Sequence, residues 1–104
     1  MTHEPVARRQ VEITNALGLH LRPADQFVRL ASQFQSEVRV HLGGRDYNGK
    51  SILDLTSLAA ECGTRLDLEA RGPDAEQAVT ALAELVEARF YETEEGPDAA
   101  PAAS

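Results

Sequence analysis

Three segments of this chain alternate apolar and polar residues with a period of two, and each is apolar on one side only. Val11 and Ile13 alternate with Glu12 and Thr14; Val38, Val40 and Leu42 with Glu37, Arg39 and His41; Leu66, Leu68 and Ala70 with Asp67, Glu69 and Arg71. Successive strand side chains point to opposite faces, so such segments belong in a sheet with one face buried and one in water. Parallel sheets are covered on both faces. The pattern therefore predicts an antiparallel sheet backed by helices on a single side, an α+β fold.

The intervening stretches carry the helices. From Ala24 onward, Phe27, Val28, Ala31 and Phe34 recur at spacings of three and four, with Pro23 in the first turn, where a missing N–H costs little. The first strand ends near Asn15, and Asn15 to Gly18 carries turn residues. Gly43-Gly44 turns the second alternating segment into a short return strand around Asp46 to Asn48, a hairpin. A brief helix is expected from Ser51 to about Ala60, burying Ile52, Leu55 and Leu58, with Gly63 placed to stop it. Gly72-Pro73-Asp74 ends the last strand and begins a helix whose stripe runs through Ala78, Val79, Leu82, Leu85, Val86 and Phe90. The order is β-α-β-β-α-β-α.

A chain of 104 residues has room for one core, and with aromatics at 5% and no Trp that core must be aliphatic. The expected division is a flexible segment over residues 1 to 9, the folded domain over 10 to 91, and a mobile acidic, Pro/Ala-rich tail over 92 to 104. A net charge of −7 with scattered basic residues argues against nucleic acid, which demands clustered Lys and Arg. No apolar run is long enough to cross a bilayer, and the polar start with Pro5 is unlike a secretory signal, so a cytoplasmic protein without membrane insertion is expected. The single cysteine, Cys62, excludes an internal disulfide framework, offers no Cys/His metal cluster, and suits a helix end. No metal or organic cofactor is implied. His3 and His41 read as surface histidines, and Phe27, Phe34 and Phe90 as core.

One segment concentrates chemistry. Asn15 to Ala24 sets His20 at a strand-to-helix junction with Arg22 two residues on. A neutral imidazole has a lone pair for attack on phosphorus, and the orphan N–H groups of the first helical turn can receive the arriving oxygens. Arg22 can add two parallel hydrogen bonds, and both groups favour the neutral ring over imidazolium. The same spacing also suits a capping or surface histidine, and spacing alone leaves that alternative open. A second pattern, Gly44-x-x-x-x-Gly49-Lys50-Ser51, matches a P-loop. A P-loop follows a strand directly and precedes a substantial helix, whereas these glycines punctuate a hairpin.

The run Asn15-x-x-Gly18-Leu19-His20-x-Arg22-Pro23-Ala24 resembles the active-site loop of the HPr family, phosphocarriers of the phosphoenolpyruvate-dependent sugar phosphotransferase system; only Leu21 departs, from a usual Ala. The likeness continues through Phe27-Val28, Phe34-x-Ser36, Gly49-Lys50-Ser51-Ile52, Leu58, Gly63, Gly72-x-Asp74 and Ala78, over roughly residues 10 to 91. It implies the HPr-like open-faced β-sandwich, a four-stranded antiparallel sheet with three helices on one face. It also implies a monomeric carrier without turnover of its own. His20 would be phosphorylated at Nδ1 by Enzyme I and would donate to IIA domains of sugar permeases, with Arg22, Pro23 and Ala24 steadying the phosphoryl group.

Ser51 resembles the regulatory serine of the family, the target of an HPr kinase/phosphorylase; from the sequence itself a helix N-cap fits as well. Exposed Leu21 and Leu53, together with Ile52, would form the docking surface. Asp25, Asp54 and Thr56 depart from small or apolar residues usual there, which bears on partner choice. The alternative function is a regulatory protein of the same fold, governed by Ser51 phosphorylation or serving a nitrogen-type branch.

Overall fold

Alternation does become a one-sided sheet. The computed structural model describes residues 4–91, and its strands are β1 (Val6–Glu12), β2 (Glu37–Leu42), β3 (Arg45–Asn48) and β4 (Arg65–Arg71). They pair antiparallel throughout in the order β1-β4-β2-β3. Between them lie α1 (Leu21–Ala31), α2 (Ile52–Leu58) and α3 (Ala75–Glu87), followed by a tight turn at Arg89–Tyr91. The element order is the expected β-α-β-β-α-β-α, with the three helices on one face of the sheet.

The buried phase of each strand meets the helical stripes. Val11, Val38, Val40, Leu66 and Leu68 pack with Phe27 of α1, Leu55 and Leu58 of α2, and Leu82 and Val86 of α3. A second, smaller cluster of Ala7, Ala70, Ala75, Ala78 and Val79 lets α3 approach the sheet closely, because these side chains are short. Truncating a fully buried member such as Leu82 costs about 2–5 kcal/mol. The opposite face carries Arg8, Gln10, Glu12, Arg39, His41, Asp67 and Glu69, as the polar phase requires.

Several boundaries differ from the sequence reading, each for a physical reason. The domain edge expected at residue 10 falls inside β1, which starts at Val6 and pairs with Arg71. Arg9 hides that strand: it stands in the inward phase between Ala7 and Val11 and reaches past the sheet edge to Glu87 of α3, 3.2 Å away. α1 begins at Leu21, so Pro23 is its third residue. α2 ends at Leu58, and its C-cap Ala59 takes the left-handed conformation (φ 55°) in place of Gly63. Gly63 and Cys62 lie in the turn before β4, and the Cys62 sulfur lies 3.8 Å from the Thr14 carbonyl. Phe90 is buried, but beyond the helix: Arg89, Phe90 and Tyr91 all have positive φ. Each left-handed residue costs about 1–2 kcal/mol, which burial of the Phe90 ring, about 3 kcal/mol, partly offsets. Asp74 stands at the N-cap position of α3 but makes no side-chain cap bond there; its carboxylate instead accepts from the Gln35 and Ser36 N–H groups, both at 2.9 Å. Residues 1–3 and the tail expected over 92–104 lie outside the described residues, and so does His3.

Candidate functional site: the mouth of α1

The loop from β1 to α1 is built from backbone hydrogen bonds. Leu19 N–H donates to the Ala60 carbonyl (2.8 Å), Gly18 N–H to the Asn15 carbonyl (3.1 Å), and His20 N–H to the Gly18 carbonyl (3.0 Å). Buried Asn15 adds an Nδ2 donor to the same Gly18 carbonyl at 2.7 Å. Gly18 is required here: its φ is +71°, and a Cβ would fall against the Ala60 carbonyl and within 2.8 Å of Glu61 Cα.

This loop delivers His20 to the N-cap position of α1 with an extended backbone (φ −82°, ψ −167°), and the imidazole makes no side-chain cap bond. The first intrahelical bond runs from Ala24 N–H to the His20 carbonyl at 2.9 Å. Pro23 has no N–H, so the amide donors of the first turn belong to Leu21 and Arg22. Pro23 and Ala24 are buried and anchor the turn, while Arg22 is exposed and His20 half-exposed. A ring at the positive end of a helix, with a guanidinium two residues away, suits a group that gains negative charge.

A shallow hollow of about 300 Å³ joins this mouth to the C-terminal end of α2, lined by Leu17, His20, Leu21, Thr56, Ala59 and Glu61 among others. Leu17, Leu21 and Leu53 are exposed large apolar residues. Leu21 lines the hollow beside His20; Leu53 stands exposed on α2, and Ile52 is half-buried at its start, neither lining it. Asp25 is engaged by Arg29 one helical turn on, at 2.8 Å.

Ser51 lies at the other end of α2, about 10 Å along a seven-residue helix. It is the N-cap: its Oγ accepts from Asp54 N–H at 3.2 Å and donates to Asp54 Oδ1 at 3.5 Å, while Asp54 Oδ2 accepts from Asn48 N–H at 2.8 Å. Lys50 Nζ donates to the Phe34 carbonyl at 2.8 Å. The P-loop glycines are kept apart by β3. Gly44 lies in the hairpin turn, and Gly49 is held against Val38.

His41, expected as an ordinary surface histidine, is half-buried on the open face, with Nδ1 2.5 Å from Asp46 and Nε2 2.7 Å from Glu69. Alternation along β2 places it on that face correctly; only the pairing of β2 with β3 and β4 shows what it touches there. Among the described residues no cluster of three or more His, Cys, Asp or Glu side chains is arranged to hold a metal. No described helix is long and apolar enough to cross a membrane.

Comparison with known proteins agrees with this architecture. Residues 7–88 match the PTS-HPr family, described as the PTS HPr component phosphorylation site. The phosphocarrier protein HPr of Neisseria meningitidis is 45% identical over 87 residues, covering 84% of this chain and 98% of that protein. HPr-C-His from Thermoanaerobacter tengcongensis superposes with a TM-score of 0.81 at 40% identity, covering 84% of this chain and 98% of that one. HPr from Bacillus anthracis gives 0.75 at 34%, over 78% and 96%. The class is thus that of small phosphocarriers built on an open-faced sandwich. The chain belongs to the HPr family and functions as a phosphocarrier of the phosphotransferase system.

Proposed function

We propose that His20 is the phosphoryl acceptor, taking the group from Enzyme I and giving it to IIA domains in the cytoplasm. The observation that carries this reading is the place of the imidazole: half-exposed at the N-cap of α1, with its ring outside the cap and a hollow beside it. In the forward step the Nδ1 lone pair attacks phosphorus, the new N–P bond forms, and the bond to the donor's phosphohistidine nitrogen breaks, leaving the donor ring its electron pair. The amides of the first helical turn and the Arg22 guanidinium hold the phosphoryl oxygens. The reverse geometry serves the acceptor, so the carrier needs an open site and no water-excluding lid of its own. Leu21 would contact the partner beside the reacting ring, with Ile52 and Leu53 of α2 extending that surface. Regulation through Ser51 stands behind this reading, since the Ser51 hydroxyl is engaged in capping α2.

The test is incubation with Enzyme I and phosphoenolpyruvate. An acid-labile adduct should form on the wild type and be lost in His20→Ala. An adduct that persists in His20→Ala would remove His20 from the acceptor role.

A further inference from the structure

The open face of the sheet contains a second histidine site that phosphotransfer does not use. His41 of β2 lies directly across from Asp46 of β3 and diagonally from Glu69 of β4. Each ring nitrogen faces a carboxylate oxygen, Nδ1 on Asp46 at 2.5 Å and Nε2 on Glu69 at 2.7 Å. A neutral imidazole has one N–H and one lone pair, so it can satisfy only one of these carboxylates and must turn a lone pair toward the other. Imidazolium donates to both. Glu69 makes the choice matter, because its side chain is only 6% exposed although it belongs to the polar face.

We propose that His41 is a proton-operated clamp, fastening the edge strand β3 through Asp46 to the central strand β4 through Glu69, closed as imidazolium and loosened when the proton leaves.

The neighbouring charges fit that role. On β4, Arg71 lies 2.9 Å from Glu69 Oε2, and Arg8 of β1 approaches it at 3.8 Å. Asp67, the register partner of His41, accepts from Gln10 of β1 at 3.3 Å. Arg39, on the same strand as His41, is engaged by Glu37 at 2.6 Å. Glu69 thus remains anionic among three cations when His41 is charged. The Glu69 hydrogen bond, opposed by burial and aided by Asp46, holds the His41 ring above its ordinary value of 6.5. Burial would push the Glu69 carboxyl up, but His41, Arg71 and Arg8 together hold it below its ordinary 4.5. The His41 contribution is therefore fully present below pH 6.5 and is lost as pH rises through the raised folded-state value. β3 feels that loss most, since it is a four-residue edge strand paired only with β2.

The clamp is tested on the full chain by NMR, following the His41 ring nitrogens and the amide protection factors of β3 together across pH. Both ring nitrogens should be protonated below the midpoint of the titration, which should lie above 6.5. The β3 protection factors should fall as pH rises, with the midpoint of the His41 titration. In His41→Gln, which keeps a single donor group and carries no charge, the pH dependence of β3 should flatten. Asp46→Asn, at an exposed position, serves if that variant does not fold, and should move the His41 midpoint down. A His41 midpoint at or below 6.5, or β3 protection with the same pH profile in wild type and variant, would overturn the proposal.

Discussion

The mouth of α1 and the open face of the sheet each present a half-exposed histidine, but they are made differently. His20 is placed by the backbone, through a glycine with positive φ, a run of carbonyl acceptors and a helix start, and its ring is not spent on the cap. His41 is placed by side chains, with a carboxylate on each nitrogen. Backbone placement sets an imidazole at a helix mouth without using it as the cap, which suits the proposed acceptor. Side-chain placement uses both nitrogens and surrounds them with negative charge, so an incoming phosphoryl group would find each ring nitrogen engaged and two repelling neighbours.

The largest effect should come from exchanging the two rings' fates. His20→Ala should abolish the acid-labile adduct, whereas His41→Ala should leave its formation by Enzyme I and phosphoenolpyruvate within about twofold, the small change expected of a remote surface substitution. A His41→Ala protein that failed to accept the group while remaining folded by circular dichroism would break the distinction between the regions.

Next in size is a contrast of glycines. Gly18 beside His20 is packed against Ala60 and Glu61, while Gly44 lies in the hairpin turn between β2 and β3, where an added Cβ would meet nothing within 4 Å. Gly18→Ala combines left-handed strain with overpacking and should cost about 2–4 kcal/mol in a denaturant melt. Gly44→Asn should cost about 1 kcal/mol or less, because Asn tolerates that conformation and meets open space. Equal losses would mean that packing at the loop does not position His20.

How much of this is legible in the sequence depends on whether the deciding contact is local. The alternation of Val38 to Leu42 and Leu66 to Arg71 is local, and it specifies the buried face. The run from Gly18 to Ala24 is local too, and it locates the helix mouth. β1 is legible only from Val11, because its earlier part has one buried side chain, Ala7, and an inward Arg9 that only α3 can satisfy. The left-handed stop at Ala59 stays hidden because alanine gives no turn signal. Glu69 and His41 read as ordinary solvent-phase residues; their burial comes from Arg8, Arg71 and Asp46 on other strands or other positions. Charge alternation along one strand does not reveal which charges meet across three.

Acid and alkali should separate the regions further. Asp74 ties the start of β2 to the start of α3, and its carboxyl is held below its ordinary 3.8 by the Ser36 hydroxyl and by the Gln35 and Ser36 N–H groups. A lowered folded-state value gives stability that is present above 3.8 and lost as pH falls through the lower value. The His41 clamp has the opposite sign and fades as pH rises. Asp74→Asn should therefore flatten the acid limb of the melting-temperature profile and leave the alkaline limb, with His41→Gln doing the reverse. If Asp74→Asn altered only the alkaline limb, the assignment of the two limbs would fail.

The smallest effect concerns Ser51, which lies at the far end of the helix whose other end borders His20. Its hydroxyl satisfies the Asp54 N–H at 3.2 Å, one of the donors that a helix start leaves without a carbonyl. Ser51→Ala should cost about 1 kcal/mol, or about 4–8 °C in melting temperature for a domain of this size. The adduct on His20 should form at an unchanged rate, because the loop at His20 leans on Ala60 and not on the start of α2. Ser51→Asp should recover part of the loss by restoring an acceptor, but only part, since it sets a second carboxylate beside Asp54. A slower adduct in Ser51→Ala would show instead that the start of α2 and the mouth of α1 move as one unit. In that case a charge added at Ser51 could reach the reacting ring through the helix, without touching any partner.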